Sequence, residues 1–269
     1  MSTIGFIGSG NMAEALIKGV ITARLYEPEN IFVSDIRQER LDFLAKEYQV
    51  QPLDKNADLA AKVDILVLSV KPQNMTEALE SIKNDIRQET LVISIAAGIR
   101  TAKIAAALGD IAIVRVMPNT PALIGEGASA LFANDKAKPM LQKAESIFSA
   151  VGKAVVVDDE DLLDAVTAVS GSGPAYYFFL MEEMIKAACQ LGLPKNVAKD
   201  LVLQTAKGAG LLAVEADKKG ESPAELRRKV TSPGGTTEAA LKVFAEGKLG
   251  PLIAAAIKKA HHRSQQLSK

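Results

Sequence analysis

The sequence is poor in the residues that metal centres and covalent cross-links most often use. Among its 269 residues are one cysteine, Cys189, two histidines, His261 and His262, and no tryptophan. A single cysteine cannot form an intrachain disulfide or a cysteine cluster, and two adjacent histidines suit neither a zinc site nor a catalytic triad. We therefore expect no metal site. We interpret Cys189, which lies in an apolar helical segment, as a small core residue.

Net charge and long apolar runs are lacking as well. Lysine plus arginine and aspartate plus glutamate both number 32, so the formal net charge is zero and no broad basic face for nucleic acid is implied. No signal-peptide pattern opens the sequence, and no uninterrupted apolar stretch is long enough to cross a bilayer. We expect a cytoplasmic protein that binds neither nucleic acid nor membrane, with enough apolar residues, 48%, to fill the cores of two domains.

A glycine-rich turn between a strand pattern and a helix pattern is the first positive feature. Residues 4–7 predict a short buried strand, which is followed by Gly8-Ser9-Gly10-Asn11-Met12-Ala13 and then by a helix pattern. In a G-x-G-x-x-A turn the first glycine permits a tight turn, the second lets a pyrophosphate approach the backbone, and the alanine packs helix on strand. With a second strand pattern at residues 31–35, the turn predicts a dinucleotide site rather than a turn without a ligand.

The end of the second predicted strand bears on the choice of dinucleotide, because it lies beside the adenosine ribose in such folds. Asp35 can accept a hydrogen bond from a ribose 2′-hydroxyl and repels a 2′-phosphate, whereas Arg37 can attract that phosphate. Arg37 can equally be a solvated residue in the first turn of the next helix. These two residues do not decide between NADPH and NADH; we expect NADPH as the cofactor and keep NADH as the alternative.

Strand and helix patterns alternate through the first half of the chain, with helices predicted at residues 38–48 and 75–86. The alternation predicts one Rossmann-type domain over residues 1–159. Ligands of such a sheet bind at the carboxyl ends of its strands, so Val70, Lys71 and Pro72 are expected along the cofactor. Ala97 follows the next strand and leaves room for the nicotinamide end.

The second half of the chain, residues 160–269, has helix patterns throughout, with turn signals at residues 170–174, 192–194 and 233–235. The helix predicted over residues 175–191 carries large apolar side chains on more than one side, among them Tyr176, Phe178 and Met184. Because such a helix needs partners on several faces, we predict an obligate homodimer. The central helix of a monomeric bundle is the alternative.

A second glycine-containing turn lies in this helical half, at Ser232-Pro233-Gly234-Gly235-Thr236-Thr237. Pro233 ends one helix, Ser232 or a threonine can cap the next, and the glycines allow close backbone approach. The unsatisfied N–H groups at a helix start favour a carboxylate or a phosphate. The stretch therefore predicts a pocket for a small anion, with an ordinary turn between helices as the alternative.

Five segments together resemble the pyrroline-5-carboxylate reductase family, over nearly the whole chain. They are Phe6-Ile7-Gly8-Ser9-Gly10-Asn11-Met12, Ser69-Val70-Lys71-Pro72-Gln73, Val116-Met117-Pro118-Asn119-Thr120-Pro121, Ala168-Val169-Ser170-Gly171-Ser172-Gly173-Pro174-Ala175-Tyr176 and Val230-Thr231-Ser232-Pro233-Gly234-Gly235-Thr236-Thr237. The last two are highly specific to the family. The resemblance implies an α/β Rossmann-type N-terminal domain plus an all-α C-terminal dimerisation domain whose helices interlock between two subunits. In some members the dimers assemble into decamers.

The resemblance also implies an activity and its residues. The activity is reduction of 1-pyrroline-5-carboxylate to L-proline, the last step of proline biosynthesis, by hydride transfer from NADPH or NADH. The resemblance implies that the substrate carboxylate binds Ser232 and the backbone of Gly235 and Thr236. It also implies that the hydroxyl of Thr237, the candidate catalytic residue, hydrogen-bonds the imine or amine nitrogen. The cofactor falls on Ile7, Gly8, Ser9, Gly10, Asn11, Met12, Asp35, Asn56, Val70, Lys71 and Ala97.

The sequence departs from the family pattern at two positions. Some relatives have a serine where this chain has Asp35 and an asparagine where it has Lys229. The cofactor preference and that edge of the substrate pocket are therefore not inherited from the resemblance.

Two other functions remain as alternatives. A β-hydroxyacid dehydrogenase shares the plan of a Rossmann domain followed by helices, but it uses a lysine four residues after a glycine on its first interdomain helix. Here the fourth residue after Gly173 is Tyr177. A non-catalytic dinucleotide-binding oligomer is the other alternative, although it would not require the pocket at residues 232–237.

Overall fold

The computed structural model describes residues 2–268 of the chain. Contacts divide the chain into two compact units: the residues up to Pro174 together with those from Lys259 onward, and residues Ala175–Lys258. We refer to them as the sheet unit and the helical unit. The contacts change at Pro174, whereas the sequence pattern changes at residue 160. The domain limits of 1–159 and 160–269 stay a prediction.

The sheet unit contains an eight-stranded sheet. Its strands are β1 (Ile4–Ile7), β2 (Ile31–Ser34), β3 (Gln51–Pro52), β4 (Ile65–Leu68), β5 (Leu91–Ser94), β6 (Ala112–Met117), β7 (Gly127–Ala133) and β8 (Gly152–Val156). The order across the sheet is β3-β2-β1-β4-β5-β6-β7-β8. The first six strands run parallel, β7 runs antiparallel to β6, and β8 is parallel to β7. The carboxyl ends of β1 to β6 therefore share one edge, where the strand order reverses between β1 and β4.

Helices cover both faces of this sheet, because its strands are apolar on both faces. They are α1 (Asn11–Thr22), α2 (Gln38–Tyr48), α3 (Asn56–Lys62), α4 (Met75–Glu80), α5 (Thr101–Leu108) and α6 (Leu141–Ser149). Ile65 and Val67 of β4 belong to one core together with α1, α2 and α6, whereas Leu66 and Leu68 belong to a second core with α3, α4 and α5. This alternation confirms the predicted Rossmann-type architecture.

Among the described residues after β8, most are helical. Their helices are α7 (Leu162–Val166), α8 (Gly173–Gln190), α9 (Lys195–Asp217), α10 (Pro223–Lys229), α11 (Thr236–Glu246) and α12 (Leu249–Leu267). α12 starts in the helical unit, but its residues from Lys259 belong to the sheet unit. Within residues 2–268, no helix is both long and apolar enough to cross a membrane.

The helical unit has almost no core of its own. Of the described residues 175–258, three are buried: Ala198, Val202 and Ala216. Large apolar side chains of α8 are exposed instead, with Phe178 at 62% and Phe179 at 64%. Cys189 of α8 is exposed as well, so its interpretation as a core residue was wrong, because this helix has no core to enter within one chain. Several large apolar side chains exposed on one helix indicate an interface with another subunit.

Two local predictions differ from the structure. The helix predicted over residues 75–86 ends at Glu80, where the Ser81 hydroxyl donates to the Ala78 carbonyl at 2.7 Å and competes with the helical pattern. The turn predicted at residues 170–174 is a π-helical segment, Thr167–Gly171, between α7 and α8. Its irregular hydrogen bonding, with the N–H of Ser172 donating to Thr167 at 2.8 Å, places the glycines and serines in a widened helical turn rather than in a loop.

Candidate active site

The glycine loop after β1 allows a ligand to approach the backbone closely. Gly8 has a φ of 89°, and a Cβ there would lie 2.9 Å from the backbone of Ser69, so a side chain does not fit. Gly10 is the N-cap residue of α1, and apart from its chain neighbours no described residue lies within 4 Å of a Cβ built on it. The first N–H groups of α1 are therefore donors beside open space, as the glycine pattern predicts.

Ser9 lies between these two glycines and is fully buried. Its N–H donates to Asp35 Oδ2 at 2.7 Å, and its carbonyl accepts from Arg40 Nε at 2.8 Å. Arg40 also forms an ion pair of 2.7 Å with Glu14 of α1, so α2 supports the loop. The Ser9 hydroxyl has no hydrogen-bond partner among residues 2–268. A buried hydroxyl of this kind suits an oxygen of a bound ligand.

Asp35 and Arg37 form an ion pair at the end of β2, with Arg37 Nε 3.1 Å from Asp35 Oδ1. Burial raises the pKa of Asp35, but the hydrogen bonds from Arg37 and from the N–H of Ser9 outweigh burial and hold the pKa below its ordinary value. The carboxylate stays ionised, and the guanidinium compensates its charge. Half of the Arg37 side chain, 50%, is exposed and accessible to a phosphate.

Asn56 is the first residue of α3 and lies beside the end of β2. Its Oδ1 accepts from the Ser34 hydroxyl at 2.8 Å, and its Nδ2 donates to the Ser81 hydroxyl at 3.0 Å. Because Ser34 is the last residue of β2, these bonds place Asn56 at the same sheet edge as Asp35. Both ends of the amide are thus oriented by neighbouring hydroxyls.

The loop after β4 is joined directly to the glycine loop. The Ser69 hydroxyl donates to the carbonyl of Gly8 at 2.6 Å. Val70 is half-buried, whereas Lys71 and Pro72 are exposed, and Pro72 begins a short 3-10 turn. These three predicted cofactor residues follow the strand that neighbours β1.

The loop after β5 adds Ala97, which is half-buried. The next residue, Gly98, has a φ of 74°. Since β1, β2, β4 and β5 end at one edge of the sheet, the structure brings all the predicted cofactor residues to that edge. Their contacts with a dinucleotide stay a prediction.

Asn119, after β6, has a positioning role that the local sequence pattern does not reveal. Its Oδ1 accepts from the N–H of Ala128 at 2.8 Å, and its Nδ2 donates to the carbonyl of Ser170 at 3.3 Å. One amide therefore holds β6, β7 and the π-helical segment together. The partners are distant in sequence, so only the fold could have identified them.

The predicted anion pocket is a tight turn in the helical unit. The N–H of Gly235 donates to the carbonyl of Ser232 at 3.0 Å, with Pro233 and Gly234 between them. Gly234 has a φ of 70°, as the third residue of a Pro-Gly type II turn requires. A Cβ on Gly235 would lie 2.9 Å from the Ser232 carbonyl, so both glycines shape the turn.

The cap of α11 differs from the prediction. Gly235 is the N-cap residue, whereas Thr236 and Thr237 are already helical, so neither Ser232 nor a threonine caps this helix. Glu238 Oε2 instead accepts from the N–H of Gly234 at 2.7 Å. A glutamate three residues after the N-cap often reaches back in this way, and this spacing was the signal in the sequence. The turn still brings the predicted substrate residues together, with Ser232 exposed and Thr237 half-buried.

The fold and these two groups of residues define a class of protein. A doubly wound sheet with a glycine loop at the reversal of its strand order, followed by helices with an exposed apolar face, is the plan of a dinucleotide-dependent oxidoreductase that assembles through its helical region. Residues 3–98 match the family model described as NADP oxidoreductase, coenzyme F420-dependent. Residues 160–267 match the model for pyrroline-5-carboxylate reductase dimerisation.

Full-length relatives agree with the second match. The chain is 45% identical to a pyrroline-5-carboxylate reductase of Pseudomonas aeruginosa, over 100% of this chain and 98% of the relative. A solved structure of the enzyme from Coxiella burnetii is 42% identical with a TM-score of 0.93, covering 100% and 99% of the two chains. A Plasmodium falciparum pyrroline carboxylate reductase with NADP bound is 30% identical with a TM-score of 0.87, covering 100% and 98%. The chain belongs to the pyrroline-5-carboxylate reductase family, which confirms the resemblance seen in the sequence.

Proposed function

We propose that this chain reduces 1-pyrroline-5-carboxylate to L-proline, the last step of proline biosynthesis, with NADPH as the hydride donor and NADH as the alternative donor. The observation that carries the proposal is the turn at residues 232–235 before α11, in a chain that also has a dinucleotide loop. Reducing a cyclic imino acid requires both features, a place for its carboxylate and a place for a hydride donor. The full-length relatives of this name support the same reaction.

The groups present at the sheet edge fit a nicotinamide dinucleotide phosphate. The open space at Gly10, the N–H groups at the start of α1 and the buried Ser9 hydroxyl suit a pyrophosphate. Arg37 suits a 2′-phosphate, because its pairing with Asp35 weakens the repulsion that an isolated carboxylate would exert. Asn56 lies at the same end, whereas Val70, Lys71, Pro72 and Ala97 follow the strands toward the nicotinamide end.

At the start of α11 we assign the substrate carboxylate to the Ser232 hydroxyl and to backbone N–H groups. The N–H of Gly235 is engaged within the turn, so its contribution is the absence of a side chain. The N–H groups of Thr236 and Thr237, in the first helical turn, are the donors in this arrangement. Glu238 already binds the N–H of Gly234, which supports the turn from its other side.

Thr237 is assigned to the ring nitrogen. When bound, NADPH supplies the hydride that adds to the carbon of the C=N bond, while the nitrogen gains a proton. The Thr237 hydroxyl hydrogen-bonds that nitrogen and orients the imine, and it can relay a proton from water. A threonine hydroxyl is too weak an acid to supply the proton unaided.

The assembly in this proposal is a homodimer formed through the exposed apolar face of the helical unit. The dimers can assemble further into decamers, and light scattering, which measures the mass of the assembly, distinguishes the two states. A matched dimerisation model over residues 160–267 supports the subunit contact. The cytoplasmic location and the absence of nucleic-acid partners stay predictions.

The reaction is tested by following NADPH or NADH absorbance with 1-pyrroline-5-carboxylate, and then with a β-hydroxyacid and the oxidised cofactor. We expect consumption of reduced cofactor and formation of proline. If 1-pyrroline-5-carboxylate caused no consumption of NADPH and none of NADH, the proposal would be overturned and a non-catalytic binding protein favoured. Reduction of the oxidised cofactor by the β-hydroxyacid would favour the dehydrogenase alternative, which Tyr177, in place of the required lysine, argues against.

A further inference from the structure

The last turn of α12 lies against the loop that carries Ala97. A Cβ built on Gly98 would lie 2.6 Å from the carbonyl oxygen of Leu267, so the backbones of the two segments are in close contact. Gly98 also has a φ of 74°, a conformation that side chains disfavour. The loop after β5 is therefore supported from behind by the C-terminal end of the chain.

One buried carboxylate fastens this turn. Asp164 of α7 is 4% exposed, and its Oδ1 accepts from the Ser264 hydroxyl at 2.6 Å and from the Ser268 hydroxyl at 2.9 Å. The two serines lie one helical turn apart, which lets a single oxygen bind both. Because both hydroxyls bind one buried oxygen, which would lose its partners if the turn moved, Asp164 fixes the rotation and height of the last turn.

The other end of the same loop is fastened to the segment just before Asp164. Thr101 donates to Glu160 through its N–H at 2.9 Å and through its hydroxyl at 2.8 Å. Arg100 pairs with Asp161. Residues 160–164 thus hold the loop at residues 96–101 twice, directly at its end and through α12 at Gly98.

We propose that Asp164 is a positioning residue for the nicotinamide half of the cofactor site. Through Ser264 and Ser268 it seats the last turn of α12, and that turn sets the backbone path of residues 96–99. Asp164 touches neither substrate nor cofactor in this role. The inference rests on the proposed function only in placing Ala97 beside the nicotinamide.

The test compares Asp164→Ala with Asp164→Asn, because both hydroxyls bind the same oxygen and the asparagine carbonyl can accept them. Two ligands are titrated by calorimetry: NADPH, and 2′-phosphoadenosine 5′-diphosphoribose, which lacks the nicotinamide. We expect Asp164→Ala to weaken NADPH binding about three- to tenfold and to leave binding of the fragment unchanged. Asp164→Asn should restore most of the loss.

The matched control is Asp64→Ala, which removes a carboxylate of the same unit at the opposite edge of the sheet. Asp64 accepts from Thr3 and pairs with Arg87 at 2.7 Å, so its loss destabilises the fold without touching the loop. It should lower the melting temperature and leave the affinities for both ligands unchanged. Hydrogen exchange of residues 95–100 without ligand should speed up in Asp164→Ala and not in the control.

A second variant guards against misfolding of Asp164→Ala. Ser264→Ala with Ser268→Ala removes the hydroxyls and leaves α7 intact, and it should reproduce the selective loss of NADPH affinity. Equal weakening of NADPH and of the fragment, or unchanged exchange at residues 95–100, would overturn the proposal. These binding measurements need no turnover, so their outcome is separate from whether the wild-type chain reduces 1-pyrroline-5-carboxylate.

Discussion

The sheet unit and the helical unit use apolar residues in opposite ways. β4 places Ile65 and Val67 in one core and Leu66 and Leu68 in another, all within one chain. The helical unit has a similar proportion of apolar residues, yet Phe178 and Phe179 of α8 are more than half exposed. The difference means that one unit is stabilised by its own sheet, whereas the other leaves apolar surface exposed for an assembly contact, in agreement with the dimerisation model matched over residues 160–267.

The contrast also separates the two proposed sites. The dinucleotide residues lie on loops anchored by strands that the chain buries by itself. The turn at residues 232–235 precedes a helix, α11, for which no residue is buried within the described chain. The substrate side should therefore depend on assembly, whereas dinucleotide binding should depend much less on it.

The largest effect is expected from breaking the exposed face of α8. Phe178→Glu combined with Phe179→Glu places two carboxylates in the predicted interface, where their desolvation is unfavourable. We expect dimerisation to weaken roughly a hundredfold or more, with loss of helical structure and of turnover. Sedimentation velocity and circular dichroism measure the two structural effects.

The matched control is Phe43→Glu in α2, another aromatic residue on an exposed helix surface, 42% exposed. The guanidinium of Arg40 lies 5.0 Å from the centre of the Phe43 ring, and it keeps its bonds to Glu14 and to the Ser9 carbonyl when the ring is removed. Dimerisation and turnover should survive this substitution. A stable, fully active monomer of the α8 variant would contradict the difference between the two units.

A substitution in the core of the sheet unit should destabilise that unit by an amount that does not depend on dimerisation. Phe148 of α6 is fully buried, so Phe148→Ala removes a large side chain from packed surroundings. We expect a loss of about 3–5 kcal/mol in the free energy of unfolding of the sheet unit. Guanidinium denaturation followed at two protein concentrations measures it. If the loss disappeared at high concentration, the sheet unit would also depend on assembly.

Local patterns were sufficient for most of the sheet unit. The alternation of strand and helix patterns predicted the Rossmann-type sheet, and Gly8 and Gly10 predicted the turn before α1, because each depends on neighbouring residues alone. The turn at Ser232 and Gly235 was found for the same reason. The capping of α11 was predicted wrongly. Gly235 is the N-cap residue and Glu238 accepts from a backbone N–H of the turn, where we expected a Ser or Thr hydroxyl to do so.

The parts that were missed depend on contacts between distant residues. Asp164 and Ser264 are separated by 100 residues, and neither belongs to a recognisable motif. The antiparallel direction of β7 and the partners of Asn119 likewise follow from tertiary packing. Asp35 and Arg37 were identified as opposing signals for the cofactor, whereas the structure pairs them.

A smaller effect is expected at the candidate catalytic hydroxyl in the helical unit. Thr237→Ala removes the hydroxyl that we propose binds the substrate nitrogen. It should lower kcat about tenfold to a hundredfold, with the dimer and the Kd for NADPH unchanged. Thr237→Ser keeps the hydroxyl and should retain most of the activity. Steady-state kinetics with 1-pyrroline-5-carboxylate and NADPH titration measure both. Unchanged kcat in the alanine variant would remove Thr237 from the reaction.

The smallest effect is expected on the surface of the sheet unit, at Arg37. Its guanidinium is half exposed and paired with Asp35, so Arg37→Ala removes a cation suited to a 2′-phosphate and leaves the core intact. We expect the Kd for NADPH to rise about three- to tenfold, because an exposed charge-assisted bond contributes on the order of 1 kcal/mol. The Kd for NADH, which lacks that phosphate, should stay the same and serves as the internal control.

The pH dependence of this discrimination follows from the same ion pair. Bonds from Arg37 and Ser9 hold the pKa of Asp35 below its ordinary value, so the carboxylate is ionised throughout the range from about pH 6 to pH 8. The ratio of the Kd values for NADH and NADPH should therefore not change over that range because of Asp35. The 2′-phosphate itself titrates, and its effect on the ratio is corrected for by titrating a free nucleotide. A preference that changed with pH after this correction would mean that another titrating group lies beside the adenosine ribose. If the wild type and Arg37→Ala had the same ratio of Kd values for NADH and NADPH, the 2′-phosphate would be bound by residues other than those at the end of β2.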